Sequence, residues 1–319
     1  GLGAIKGTGL AAIELILESR QKLGPFKDLF DFCARLDLRK VNRRVVESLI
    51  RGGAFDTLES NRAALLASVN LAITAAEQGK ANIAQNSLFG EEHTQKIEMV
   101  NVDPWTPQQK LQEEKAALGF YFSGHPFTFF EKRVRPFIKT SIRELKPQEQ
   151  PYLIAGVIVA IRIRMTARGK MAIVTLDDAV SRVDVVVGNE LLTQSQKLVQ
   201  EDQLLIVEGR VSHDDFTGGI RVTARKLFDL ATARNQFAHH LKISCNGQSD
   251  ASKLRDILKP YCGVSQNNLK RCRVKIDYHN AKGHVELLLG ENWQVDLHDE
   301  LIDGLTQWLS EENVKILYN

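Results

Sequence analysis

The sequence predicts a multidomain α+β chain: a helical domain first, a five-stranded β-barrel next, and a small α+β domain last. Three observations predict this. Apolar residues recur at helical spacing through the first 76 residues, the period changes to two after Pro151, and short strand and helix signals alternate after residue 239. A length of 319 residues suits two or three domains. With 43% hydrophobic and 25% charged residues, the chain has ordinary globular composition. Net charge is only +3, so any nucleic-acid binding must come from local clusters. Cys33, Cys245, Cys262 and Cys272 are scattered, without a Cys-x-x-Cys pair or interleaved histidines. That excludes a zinc site of the usual spacing and fits reduced cytosolic thiols. No apolar run reaches membrane-spanning length and no signal peptide is visible, so a cytoplasmic protein without a membrane partner is expected. The chain opens on Gly1-Leu2-Gly3, inside a structured pattern and without Met, and reads as a piece of a longer polypeptide.

The helical domain covers residues 1–76. Its pattern is carried by Ala12-Ile13 with Ile16-Leu17, and by Val45-Val46 with Leu49-Ile50. Gly24-Pro25 breaks the first run and Gly52-Gly53 follows the second. Asn61 is placed to cap a third helix ending at Ala76. Periodicity vanishes from Glu77 to Asp103, so residues 77–105 read as a linker or functional loop. Residues 106–150 read as a helical connector. Thr106-Pro107 is a strong helix start, and the helix should end near Gly119.

The barrel occupies residues 151–234. Its first strand alternates, with Val157, Val159, Ile161 and Ile163 on one side and Ile158, Ala160, Arg162 and Arg164 on the other. Met171–Leu176, Arg182–Val187, Gln203–Val211 and Gly219–Leu230 supply four more strands, and a helix (Glu190–Val199) lies between the third and fourth. Five strands with a helix after the third is the order of an OB-fold. In the last unit, residues 239–319, strands fall at Leu241–Ser244, Arg273–Tyr278, His284–Leu289 and Val314–Leu317. Helices fall at Lys253–Leu258 and Leu301–Leu309.

Candidate binding residues cluster in four places. In Ile5-Lys6-Gly7-Thr8-Gly9-Leu10, two glycines flanking one residue let the backbone turn tightly and present N–H groups at a helix N-terminus, where a phosphate oxygen binds; Lys6 adds a charge. The pattern resembles a helix-hairpin-helix motif, which grips duplex backbone through Lys6, Gly7, Thr8 and Gly9; an ordinary glycine cap is the alternative. A weaker second hairpin, Arg51-Gly52-Gly53, follows a basic cluster of Arg39, Lys40, Arg43 and Arg44, which alone would read as a solvated helix face. Gln85-Asn86-Ser87-Leu88-Phe89 matches Gln, any residue, a small or acidic residue, Leu, Phe, and resembles the bacterial sliding-clamp binding peptide. Leu88 and Phe89 would fill an apolar pocket and Gln85 would fix register, with Ser87 as the small residue between them. Such five-residue patterns also arise by chance. In the barrel, Arg162, Arg164, Arg168, Lys170, Phe216, Arg221 and Arg225 are candidates for single-stranded DNA, which OB-folds take on the face between the first and the last hairpin loops. Acidic residues nearly balance these cations and Phe216 is the main stacking aromatic, so binding would be weak and salt-dependent, and a purely structural barrel is the alternative.

No catalytic or metal-ligating set is expected. Asp177-Asp178 are neighbours on a strand and point to opposite faces, Asp214-Asp215 lack a third partner, and no phosphate loop or nucleophile elbow occurs. His239-His240 reads as an exposed linker pair and His125 as a turn residue.

The order of parts, with Gly3-Ala4-Ile5-Lys6-Gly7, Leu29-Phe30-Asp31-Phe32-Cys33, Asn42-Arg43-Arg44, Gly53-Ala54-Phe55-Asp56, Gln85–Phe89, Leu118-Gly119 through Gly124-His125-Pro126, Thr175-Leu176-Asp177-Asp178 and Asp214-Asp215-Phe216, resembles the C-terminal portion of the alpha-subunit family of bacterial DNA polymerase III. The resemblance implies duplex binding by residues 1–76, a beta sliding clamp partner for Gln85–Phe89, a barrel near single-stranded template, and a last domain that binds the tau subunit of the clamp loader. It also implies that the parent is a DNA-directed DNA polymerase whose Mg²⁺-binding palm aspartates lie upstream. This chain would then need no cofactor of its own and be inactive alone. A stand-alone helix-hairpin-helix and OB accessory protein of DNA repair or recombination is the other reading from these residues, and an RNA-binding OB module of a tRNA-handling enzyme a third.

Overall fold

Six helices, a closed barrel and an open sheet follow the sequence in that order in the computed structural model, which describes residues 1–86, 97–167, 169–214, 218–246, 249–262 and 271–318, with the side chains of 81–86 left out. The chain divides into two units, Gly1–Pro126 and the rest from Phe127. The boundary falls inside the expected 106–150 connector: its first helix belongs to the first unit and its second to the other.

In the first unit, α1 (Leu10–Leu23), α2 (Leu29–Arg35), α3 (Arg43–Arg51), α4 (Arg62–Asn86) and α5 (Pro107–Leu118) surround one apolar core. Ile16, Phe32, Val46, Leu49, Ile50, Leu65 and Val69 are all buried there. The helix starts are capped as the residues dictate. Asp28 accepts from Asp31 N–H, Asn42 from Val45 N–H, Asn61 from Ala64 N–H and Thr106 from Gln109 N–H. Gly119 closes α5 in the left-handed region at φ +87°. One boundary differs. α4 runs ten residues past Ala76, and Lys80 Nζ ties this part to the Leu36 carbonyl at 2.8 Å.

In the second unit, α6 (Thr128–Val134) precedes the barrel strands β1 (Tyr152–Thr166), β2 (Gly169–Asp177), β3 (Arg182–Val187), β4 (Leu204–His213) and β5 (Ile220–Phe228), which close in the order β1-β2-β3-β5-β4. The helix between β3 and β4 is short, α7 (Asn189–Gln194), not the expected 190–199. β1 carries a bulge at Val159: Ile158 pairs with Leu176 and Ala160 with Thr175. Before it, Ile154 and Ile158 point into the barrel, while Ala155 and Val157 point out into a second core with Phe127, Val134 and Ile206. After it the inward set becomes odd-numbered, so Ile161 faces in. The single row Val157, Val159, Ile161, Ile163 expected from alternation is therefore split. Arg162 and Arg164 stay together on the outer face.

The helix α8 (Leu230–Phe237) leads into β6 (Ala238–Asn246), α9 (Ala251–Leu258), β7 (Arg273–Asn280), β8 (Gly283–Leu288), α10 (Asp299–Leu309) and β9 (Val314–Tyr318). The sheet order is β8-β7-β6-β9. Leu254, Leu258, Leu301 and Leu305 cover one sheet face, with Leu241, Ile243 and Val274 beneath. Arg234 of α8 donates to the Leu297 carbonyl at 3.2 Å and to Asp299 at 2.7 Å, and Asn235 accepts from Leu297 N–H at 2.9 Å. Phe137 stacks between Phe237 and Tyr318. These contacts join the barrel's exit helix to the last domain, and burial pushes the Tyr318 hydroxyl up to about 12.

Candidate nucleic-acid interfaces

The turn before α1 is open where an anion would need it. Gly7 has φ +84°, and Gly9, the residue before α1, supplies no side-chain cap. Lys6 N–H donates to the Ala117 carbonyl at 2.7 Å and Thr8 N–H to Ile5 at 3.3 Å, while Ala12 and Ile13 N–H reach back to Gly9. The N–H groups of Gly9, Leu10 and Ala11 at the positive end of α1 have no partner among the described residues. Thr8 plays another part than expected. Its hydroxyl donates to the Ile5 carbonyl at 2.7 Å, so its N–H and O–H both shape the turn rather than face a ligand. Lys6 is exposed and lies across Gly119, where an added Cβ would stand 3.1 Å from its ammonium.

Ser48 of α3 sits against Gly7, and Ile5 packs over Gly52. One turn before Ser48 on the same helix face is Arg44, exposed and without a carboxylate partner among the described residues. Lys40 is likewise exposed and unpaired there. Arg39 pairs with Asp37 at 3.0 Å and Arg43 with Glu47 at 2.6 Å. Of the basic cluster, Lys40 and Arg44 are therefore the two cations left for a phosphate.

The second hairpin is corrected by the structure. Gly53, at φ +81°, and Ala54 close α3: Ala54 N–H bonds to Leu49 and Gly53 N–H to Ile50. Gly52 N–H bonds to Ser48. These donors are taken up by helix carbonyls, and the next helix starts only at Arg62, so Gly52-Gly53 is a helix stop and not a phosphate nest. Arg51 pairs with Glu113 at 3.1 Å.

Sequence reasoning missed the buried ion cluster beneath this region. Arg62, 4% exposed, holds Asp56 through two 2.6 Å bonds, Glu114 at 3.0 Å and the Arg51 carbonyl at 3.1 Å. Glu114 is fully buried, and its other oxygen accepts from Phe122 and Ser123 N–H at 2.9 and 2.8 Å. Burial is the largest influence on the Glu114 carboxyl and pushes it up; the donors of Ser123, Phe122 and Arg62 together outweigh it and hold it below the ordinary value. The cluster pins the end of α3, the start of α4, α5 and the turn after α5 to one another. Only the spacing of one Arg and one Glu between apolar helix positions hints at it.

The peptide Gln85–Phe89 lies outside the described residues apart from the helical backbone of Gln85 and Asn86. Arg168 and Phe216 also lie outside them.

On the barrel's outer face, register rows run Arg162–Ile173–Val186–Thr223–Arg210 and Ala160–Thr175–Asp184–Arg221–Ser212. Asp184 stands near the middle. It binds Arg162 Nη2 at 2.6 Å and accepts from the Thr175 hydroxyl at 2.6 Å. Arg221 lies 3.8 Å from Asp214. Arg164 and Lys170 are exposed, and no carboxylate pairs with them among the described residues. Arg225 is the unpaired residue of a bulge and lines a shallow cleft with Asn189 and Gln194 of α7. Ile163 and Met165, 64% and 75% exposed, offer apolar contact at the hairpin where aromatic residues are missing. The pair Asp177-Asp178 tightens a turn: Asp178 accepts from Ile142, Val180 and Ser181 N–H, and Asp177 from Ala179 N–H and Arg182.

Comparison with known proteins places these parts. Residues 1–65 match the helix-hairpin-helix motif, residues 152–230 the OB-fold nucleic acid binding domain, and residues 253–309 the DNA polymerase III subunit alpha C-terminal domain. The DNA polymerase III subunit alpha of Neisseria meningitidis is 38% identical over 99% of this chain, that of Vibrio cholerae 38% over 100%, and that of Escherichia coli 37% over 100%. The whole chain is similar to one part of the DNA polymerase III alpha subunit. It spans 28% of the length of these relatives, and the part it matches includes the alpha subunit's C-terminal domain. Among its described residues no helix is long and apolar enough to cross a membrane.

Proposed function

We propose that this chain is the DNA-holding and partner-binding region of a bacterial replicative DNA polymerase, with nucleotidyl transfer carried by Mg²⁺-binding domains elsewhere in the parent polypeptide. The observation that carries the reading is identity of 37–38% to alpha subunits over 99–100% of this chain, joined to an uncapped helix N-terminus beside an exposed lysine. Gly9, Leu10 and Ala11 N–H with Lys6, Lys40 and Arg44 grip the backbone of product duplex and read no base edges. The barrel face takes single-stranded template through Arg162, Arg164, Lys170 and Arg221. Gln85–Phe89 docks the beta sliding clamp, and the last domain meets the tau subunit of the clamp loader. The setting is cytoplasmic chromosome replication.

Lys6→Ala is expected to weaken duplex binding to the same degree on unrelated sequences and to lower the salt slope by about 0.9, one phosphate contact. Salt titrations on two duplexes test this; loss on one sequence only would mean the turn reads bases.

Asp184 restrains the barrel. Its carboxylate neutralises Arg162 in the middle of the proposed face, so DNA must compete with it. Asp184→Asn is expected to tighten single-strand binding and steepen the salt slope by about 0.7. Weaker binding by this variant would show that the pair supports the DNA-bound form.

A further inference from the structure

The sheet of the last domain has a second face that no helix among the described residues covers. On it, register places Lys315 of β9, Lys242 of β6 and Lys275 of β7 in one cross-strand row. The next row holds Leu317, His240 and Arg273. Like charges directly opposite one another destabilise a sheet. Carboxylates relieve Lys242 and Lys275 but not Lys315: Asp277 lies 2.7 Å and Glu286 3.7 Å from Lys242, and Glu286 lies 2.6 Å from Lys275. Lys315 and Arg273 are exposed, and no carboxylate pairs with them among the described residues. The local potential registers on His240, whose ring is held below its ordinary value by burial first, then by His239, Lys275 and Arg273.

We propose that this open face is a second binding surface for single-stranded nucleic acid, with Lys315, Arg273 and His240 meeting its phosphates. Charge complementarity selects the occupant. Adjacent strands lie about 4.8 Å apart, so Lys315 of β9 and Arg273 of β7, on either side of β6, present two cations about 10 Å apart, a spacing that suits a chain charged at every repeat. The apolar side chains of the two rows, Leu317 and Leu288, are themselves exposed and make no pocket for the buried anchor a peptide partner needs. Arg234 and Asn235 tie the barrel's exit helix to Leu297 and Asp299, so a strand leaving the barrel would meet a domain fixed to it. The surface does not depend on the barrel face binding DNA.

The test uses the full chain and a long oligothymidylate, with Arg162→Ala/Arg164→Ala/Lys170→Ala/Arg221→Ala as background so that the barrel's proposed contacts are removed. Adding Arg273→Gln and Lys315→Gln should lower the salt slope by about 1.4, two single-strand phosphate contacts. Both residues are exposed, so an unchanged melting temperature should accompany the loss. In the unsubstituted chain, bound oligothymidylate should protect the Lys315 amine from acetylation. An unchanged slope without protection would overturn the proposal, as would absence of any binding in the background chain. Loss of polyglutamate binding with oligothymidylate binding intact would also overturn it and assign the face to an acidic protein segment.

Discussion

Arg62→Ala is expected to destabilise the first unit by about 3–5 kcal/mol, the usual result of removing one partner from a buried ion pair. Asp56 and Glu114 both face the Arg62 guanidinium, and Glu114 has no exposure to water. Without Arg62 a buried carboxylate would keep its two backbone donors and lose its cation. Glu114→Gln should cost less, because the amide oxygen can still accept from Phe122 or Ser123 N–H, although its NH₂ group then faces the guanidinium. The acid limb of stability separates the two. In the folded chain the Glu114 carboxyl ionises below its ordinary value of 4.5. Its contribution is therefore complete above that value and is lost as pH falls through the lowered folded one. Urea unfolding from pH 7 down to pH 3 should show a flatter decline in Glu114→Gln than in the unsubstituted chain. Identical curves would mean that the Glu114 carboxyl ionises over the same pH range folded and unfolded.

Leu88→Ala with Phe89→Ala is expected to abolish binding to a bacterial sliding clamp and leave duplex binding unchanged. Apolar anchors of this kind contribute about 2 kcal/mol or more apiece at a docking pocket, roughly thirty-fold in Kd each. On the proposed function, the same tether would make a modest grip on DNA enough. With the clamp around duplex, the peptide would hold the chain at high local concentration, and the turn before α1 would need only to align the backbone. Surface plasmon resonance with immobilised clamp measures the effect. Clamp affinity within two-fold of the unsubstituted chain would remove Gln85–Phe89 from the interface.

Much of this architecture was legible in local pattern. Thr106-Pro107 and Gly119 marked both ends of α5, and Asn61 marked the start of α4, because caps are written in one or two residues. The barrel order followed from strand count and the position of one helix. What escaped the sequence depends on partners distant in the chain. The bulge at Val159 is a mismatch between two strands and leaves no mark on either alone. Gly52-Gly53 looked like a second hairpin because a glycine pair suits both a helix stop and a phosphate nest; eight residues without a helix start decide between them. The polar end of α4 looked like a linker, since a helix without an apolar face shows no period. Among the site residues, Lys6, Lys40 and Arg44 are exposed and have no carboxylate partner among the described residues. Arg162 does not stand free, because Asp184, 22 positions away, is its neighbour only once β2 lies between β1 and β3.

The most direct test is the salt dependence of duplex binding by this chain on two duplexes of equal length and unrelated sequence. Recognition of backbone alone predicts two superimposed lines of log Kobs against log salt, both shallower by about one phosphate contact after Lys6→Ala. Parallel lines offset by ten-fold or more between the two sequences would contradict it, since a grip that reads no bases cannot tell them apart.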